Sequence, residues 1–190
     1  MRYPKEHKQQ ARQRLVERGG RLAKERGFGA SGIDAMAAES GVTSGSIYKH
    51  FSGKSELFAA IVSAELQRSA NGFSAAAEGG SDGLERVLAA YLSLQHVDEP
   101  GRGCAIPSLT AEVARADGSV RAAFQEGLLE IHAVLTRQLK SGDKAWALIA
   151  QSVGAVMLAR AVLDHAIRQD VLMAAKKSGQ ALMKRGTSGA

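Results

Sequence analysis

Between Ile33 and Phe51 the chain reads IDAMAAESGVTSGSIYKHF. Its second half brings together the hydroxyls of Thr43, Ser44 and Ser46, the phenol of Tyr48, the ammonium of Lys49 and the imidazole of His50. Hydroxyls donate to and accept from base edges, and neighbouring cations neutralise phosphates, so this set suits contact with nucleic acid. The spacing is that of a helix-turn-helix. Ala37 is small enough for two helices to approach closely, and Gly41 falls where the turn requires a positive φ. Met36, Val42 and Ile47 are placed to form the core shared by the two helices. Structural helical hairpins carry the same glycine turns and small contact residues, so the pattern alone leaves that alternative open.

The charge distribution favours the nucleic-acid reading. Residues 1–54 hold eleven Lys/Arg against five Asp/Glu, a net +6, whereas residues 55–190 hold fourteen of each. The whole formal charge is therefore N-terminal, as expected of a segment that meets a polyanion on a body with another task. A solvated basic helix produces the same imbalance.

Other chemistries lack their constellations. The sequence contains no GxxxxGK[ST], HExxH or GxSxG and no cysteine spacing suited to a metal. His96 with Asp98 and Glu99, and Asp164 beside His165, are pairs of a kind common on solvated faces. No enzyme, catalytic residue, metal or cofactor is expected. Cys104 sits in GRGCAIPS at an apparent helix start near Arg102, a setting that favours thiolate and hence oxidant or electrophile sensing. A small buried apolar residue at a helix junction is the preferred alternative. A single Cys cannot make an intramolecular disulfide, residues 1–20 are charged where a secretory leader is apolar, and no run of eighteen apolar residues occurs. A cytoplasmic protein without a membrane span is expected.

The elements that must position these groups are helical. Prolines number only three, alternating β-branched runs are missing, and glycines fall mostly where helices should stop, so the fold class expected is all-α. The pattern predicts a first helix over about Lys5 to Arg26, with Leu15, Val16, Leu22 and Ala23 as its apolar face. Ser31 and Asp34 fit a capping box for a helix from Gly32 to Ser40, Thr43 caps one from Ser44 to Phe51, and Ser52 caps one from Gly53 to about Gln67. The low-complexity stretch from Ser69 to Gly83 reads as the end of a long helix plus a loose connection. Further helices are predicted from Leu84, then over about Cys104 to Ala116, Ser119 to Lys140, Asp143 to Leu163 and His165 to Lys184, about nine in all. Trp146, Ile149, Val153, Val156, Met157 and Leu163 make an apolar face too wide for one small domain, so burial against a second copy is expected. The domains expected are residues 1–54, a three-helix DNA-binding unit, and residues 55–190, a helical unit that pairs with a second copy.

The order of basic helix, capping box, GVTSGSIYKHF and SGKSELF resembles the N-terminal domain of TetR/AcrR-type transcriptional regulators. The stretches GCAIPSLTAEVAR, VRAAF and GAVMLARAV resemble the regulatory domain of one TetR-like subgroup. The resemblance implies a homodimeric, ligand-responsive DNA-binding protein, usually a repressor. It would dimerise through its last two helices, bind a palindromic operator and be released by a small-molecule inducer. On this resemblance Ser44 to His50 is the recognition helix, with Thr43, Ser44 and Ser46 nearest the bases. Tyr48 and His50 match phosphate contacts, Tyr48 also reaching a thymine methyl, and Lys49 adds charge. Lys54 and the adjacent helix-end N–H groups share a phosphate, Ser31 and Gly32 do likewise at the second helix, and Phe51 belongs to the core. The resemblance also implies a ligand cavity, for which Tyr91, His96, Cys104, Ser108, Phe124, His132 and Met157 are candidates. Phe124 and Met157 suit core as well, and His132 a local partner.

Two departures stand out. Ser44 occupies a position where many members carry Lys or Arg. Gly19 and Gly20 fall inside the first helix where Ala is usual, at roughly 1 kcal/mol each if exposed. The competing reading is a helical adaptor whose basic helix meets acidic partners or lipids, and which binds DNA without sequence preference or not at all.

Overall fold

The computed structural model describes residues 5–184, ten α-helices and one short 3-10 turn with no strand among them. The outer ends of the two expected domains, residues 1–4 and 185–190, lie outside the described residues. Helix α1 spans Lys5–Arg26, α2 Ile33–Ser40 and α3 Ser44–Ile47, and these form the head. Leu15, Val16, Leu22 and Ala23 are buried, as their spacing predicts, in one core with Met36, Ala37, Ile47 and Phe51. At the turn, Gly41 has φ 68° and its N–H donates to the Ala38 carbonyl, with the Val42 N–H donating to Ala37. A side chain there would be strained, so the glycine ends α2 and sets the angle at which α3 leaves.

Helix α4, Lys54–Glu78, joins head to body. Its first turns bury Leu57, Phe58, Ile61 and Val62 with the head, and Leu66 and Ala70 follow toward the body. Phe28, in the loop after α1, stacks on Phe58 with ring centroids 4.0 Å apart. Over 25 residues such a helix runs about 37 Å, long enough to serve both cores.

The body is built from α5 (Gly80–Tyr91), α6 (Leu94–Asp98), a 3-10 turn (Pro100–Arg102), α7 (Ala105–Val113), α8 (Gly118–Leu139), α9 (Gly142–Ala161) and α10 (His165–Lys184). α4 lies along α8, and α9 packs against α8 on one side and α10 on another. Side chains cap the two long helices that follow: Asp117 accepts from the N–H groups of Ser119 and Val120 at α8, and Ser141 from that of Lys144 at α9.

Four expectations change. The stretch from Ser69 to Gly83 holds no loose connection: α4 continues to Glu78 and α5 begins at Gly80, because its alanines sustain a helix without an apolar stripe. The recognition element is shorter than Ser44 to Phe51. α3 ends at Ile47, and residues 48–50 form a tight turn in which the N–H groups of Lys49 and His50 donate to Ser46 and Ile47. α6 and the 3-10 turn were not expected, being too short to show a period. The Ser31–Asp34 capping box is also absent: Gly32 is the N-cap of α2 and no side chain caps it.

Candidate functional site

The groups read as a nucleic-acid surface differ in exposure. Thr43, at the N-cap of α3, is exposed and its hydroxyl makes no capping bond. Tyr48 is 60% exposed, too open to be a hairpin core residue, and Lys49 is exposed beside it. Ser46 is half-buried, while the half-buried Ser44 donates its hydroxyl hydrogen to Asp34 Oδ1 on α2. Phe51 is buried as expected, and the Arg12 guanidinium sits 4.8 Å from its ring centre.

Electrostatics at this face are cationic. Partial burial, and after it the charges of Lys8, Arg12 and Lys49, hold the His50 pKa below its ordinary 6.5. Lys54 donates to the Gly29 carbonyl at 3.3 Å and lies 5.2 Å from the centre of the Phe28 ring. The Ser52 cap is replaced by its mirror: Glu56 accepts from both the N–H and the hydroxyl of Ser52, at 2.6 and 2.7 Å. Ser31 must be withdrawn as a phosphate contact. It is buried, and its N–H and hydroxyl both donate to the Gly27 carbonyl, at 3.1 and 2.7 Å. Gly32 stays exposed at the start of α2.

The body contains a cavity of about 460 Å³ between α4, α5, α6 and the segment leading into α7. Of the candidates, Tyr91, His96 and Cys104 line it. The other four lie elsewhere. The Ser108 hydroxyl accepts from Arg160 at 3.0 Å, Phe124 packs on the core, and Met157 is exposed on α9. His132 stacks on Trp146 with centroids 4.1 Å apart and reaches the Gly142 carbonyl through Nε2 at 3.0 Å.

Sequence reasoning missed the wall supplied by α4, namely Glu65, Arg68, Ser69 and Phe73. Their pattern is that of an ordinary amphipathic helix, and only the fold turns this face inward. His96 is fixed by two partners: Nε2 accepts from the Cys104 N–H at 3.0 Å, so Nδ1 carries the hydrogen donated to the Tyr91 carbonyl at 2.7 Å. Burial, which outweighs the bond to Tyr91, keeps this imidazole below its ordinary pKa and neutral at pH 7. Burial, with the Cys104 thiol beside it, pushes the Tyr91 phenol well above 10, so it stays protonated. Arg160 of α9 ties the region together, donating to the carbonyls of Val97 and His96 at 3.2 and 3.0 Å.

Head and body meet through charged groups. Lys24 on α1 donates to Glu65 Oε2 at 2.7 Å and to the Gly103 carbonyl at 2.9 Å, with side chains only 2% and 3% exposed. Arg68 donates to the other Glu65 oxygen at 3.0 Å. A Cβ on Gly20 would lie 2.6 Å from Glu65 Oε1, so this glycine makes room for the pinned carboxylate, which explains one of the pair in α1. Gly19 is nearer ordinary contact, 3.2 Å from Ile61 Cδ1. Breaking such a buried pair by removing one partner costs roughly 3–5 kcal/mol. A second joint is Glu112 of α7, which accepts from the N–H groups of Phe28 and Gly29 at 3.0 and 2.5 Å.

The turn geometry and the exposed basic side chains define a helix-turn-helix head, carried on a helical body that holds a cavity. Residues 15–61 match the family described as bacterial regulatory proteins, tetR family. That match covers the helix-turn-helix and the start of α4. Similar solved structures include E. coli NemR in its reduced form, at 22% identity and TM-score 0.74, covering 90% of this chain and 96% of that one. A TetR transcriptional regulator from Chloroflexus aurantiacus has 20% identity and TM-score 0.77, covering 95% and 97%. A TetR-family regulator from Streptomyces coelicolor has 24% identity and TM-score 0.69, also covering 95% and 97%. No curated protein sequence matches. Among the described residues no helix is long and apolar enough to cross a membrane, and no group of three or more His, Cys, Asp or Glu is placed to hold a metal.

Proposed function

We propose that the chain is a ligand-responsive repressor, not an enzyme, that binds a palindromic operator as a homodimer in the cytoplasm and is released by a small molecule held in the cavity. The observation that carries this reading is the exposed turn of the head, where Thr43, Tyr48 and Lys49 face outward from a basic surface. The dimer is supported by apolar side chains left open on α9 and α10, among them Leu158, Ile167 and Met173. Two recognition helices on such a dimer meet successive major grooves, about 34 Å apart, only in one relative orientation of the heads. A ligand with higher affinity for another orientation lowers DNA affinity by that difference.

The reading is tested by gel shift of the purified protein on the DNA flanking its own gene, at about 0.15 M salt with excess random competitor. Competitor-resistant binding is expected. Binding that random DNA removes, both there and in a selection from genomic fragments, overturns it in favour of the adaptor.

A further inference from the structure

The end of α1 meets the body beside the cavity, and one buried cation spans that joint. The two groups that hold the Lys24 ammonium, the Glu65 carboxylate and the Gly103 carbonyl, belong to residues that also line the cavity, one from α4 and one from the segment after the 3-10 turn. Glu65 is pinned further by Arg68, and a Cβ at residue 20 would crowd its carboxylate. An ammonium in so water-poor a joint must follow its partners when they move or leave its charge uncompensated. The helix that carries it packs directly on α2, so movement of its end is passed to the recognition hairpin.

We propose that Lys24 is the residue that couples occupancy of the cavity to the head: an occupant that displaces Glu65 or Gly103 draws the end of α1 with it. This rests on the reading of the cavity as the effector site. Conversely, DNA that fixes the heads fixes Lys24, and through it the two cavity walls.

The chain's single cysteine supplies the test, because Cys104 lines the same cavity. Alkylation with monobromobimane fills the cavity at one known position, and mass spectrometry reports the stoichiometry. Amide hydrogen exchange is then followed in peptides covering residues 20–31, together with DNA binding. In the wild type, labelling is expected to speed exchange of residues 20–31 by about tenfold or more, as a locally released segment does. In the double variant Lys24→Met/Glu65→Leu, which removes both buried charges together and strands neither, exchange is expected to be the same with and without label. A fully labelled wild type with unchanged exchange there overturns the coupling, as does a double variant that responds like the wild type. Cys104→Trp fills the cavity genetically and is read in the same way. Release of residues 20–31 with unchanged DNA affinity supports the coupling and counts against the repressor reading, so the two fail separately.

Discussion

The Ser44 hydroxyl donates to the Asp34 carboxylate across the helix-turn-helix, tying the start of α3 to the first turn of α2. A carboxylate thus stands at the face proposed to meet phosphates, and it accepts one hydrogen bond there. Asp34→Asn is expected to raise operator affinity by about 1 kcal/mol, roughly fivefold, by removing that charge. Ser44→Ala, which leaves the carboxylate bare, is expected to lower affinity with little change in Tm. Fluorescence anisotropy titrations of both variants check this, and affinities moving the opposite way would refute the placement.

Tyr48 is open to solvent and Lys54 is held over Phe28, so each can be removed without a cavity in the core. Tyr48→Ala is expected to weaken operator binding about tenfold at an unchanged melting temperature. Lys54→Ala should reduce the slope of log K against log salt by about one, the signature of a lost phosphate contact. Unaltered binding in both variants would show that DNA meets another surface.

His50 supplies a pH dependence whose sign is determined by its surroundings. In the free protein, burial and the neighbouring cations keep it below 6.5 and neutral at pH 7. A phosphate beside the ring favours the protonated form, so binding takes up a proton and operator affinity rises as pH falls from about 7.5 to below 6.5. His50→Gln should flatten that rise, and an identical pH profile in the variant would exclude His50 from the interface.

On α9 and α10, Leu158 is 59% exposed and Ile167 51%, a cost that a second copy would remove. Leu158→Glu/Ile167→Glu is expected to shift the protein from dimer to monomer at micromolar concentration in sedimentation equilibrium. A stable interface buries about 800 Å² on each partner, and two charges within it are not tolerated. Sedimentation of the variant as a dimer would place the interface elsewhere.

How much of this was legible in the sequence depended on the range of each cause. The boundaries of α10 and the burial of Met36, Ala37, Ile47 and Phe51 follow from local period and turn chemistry, and the sequence shows them. Gly20 did not yield to that reading, because its reason is the side chain of Glu65, forty-five positions away. Ser31 was misread as a cap for a related cause: its own loop offers the Gly27 carbonyl, an acceptor the one-dimensional motif does not contain. The cavity candidates all lay at Tyr91 and beyond, so its α4 wall was left out, and Ser108, Phe124, His132 and Met157 had only residue type to recommend them. Arg160 carries no sequence signal, since any arginine near a helix C-terminus looks the same.

Glu112 offers the sharpest test of how the head is held. Its carboxylate accepts from the N–H groups of Phe28 and Gly29, and the same loop presents the Phe28 ring to Phe58 and the Gly29 carbonyl to Lys54. Hydrogen bonds to a charged acceptor contribute about 1.5–3 kcal/mol each, and partial exposure places the loss in Glu112→Ala nearer 2 kcal/mol for the pair. The expected result is a lower urea midpoint at an unchanged m value, with Glu112→Gln intermediate because its amide oxygen still accepts. Operator affinity should fall with the midpoint, since Lys54 loses the carbonyl that positions it. A lower midpoint with undiminished DNA binding would mean that the loop stabilises the protein without orienting the head.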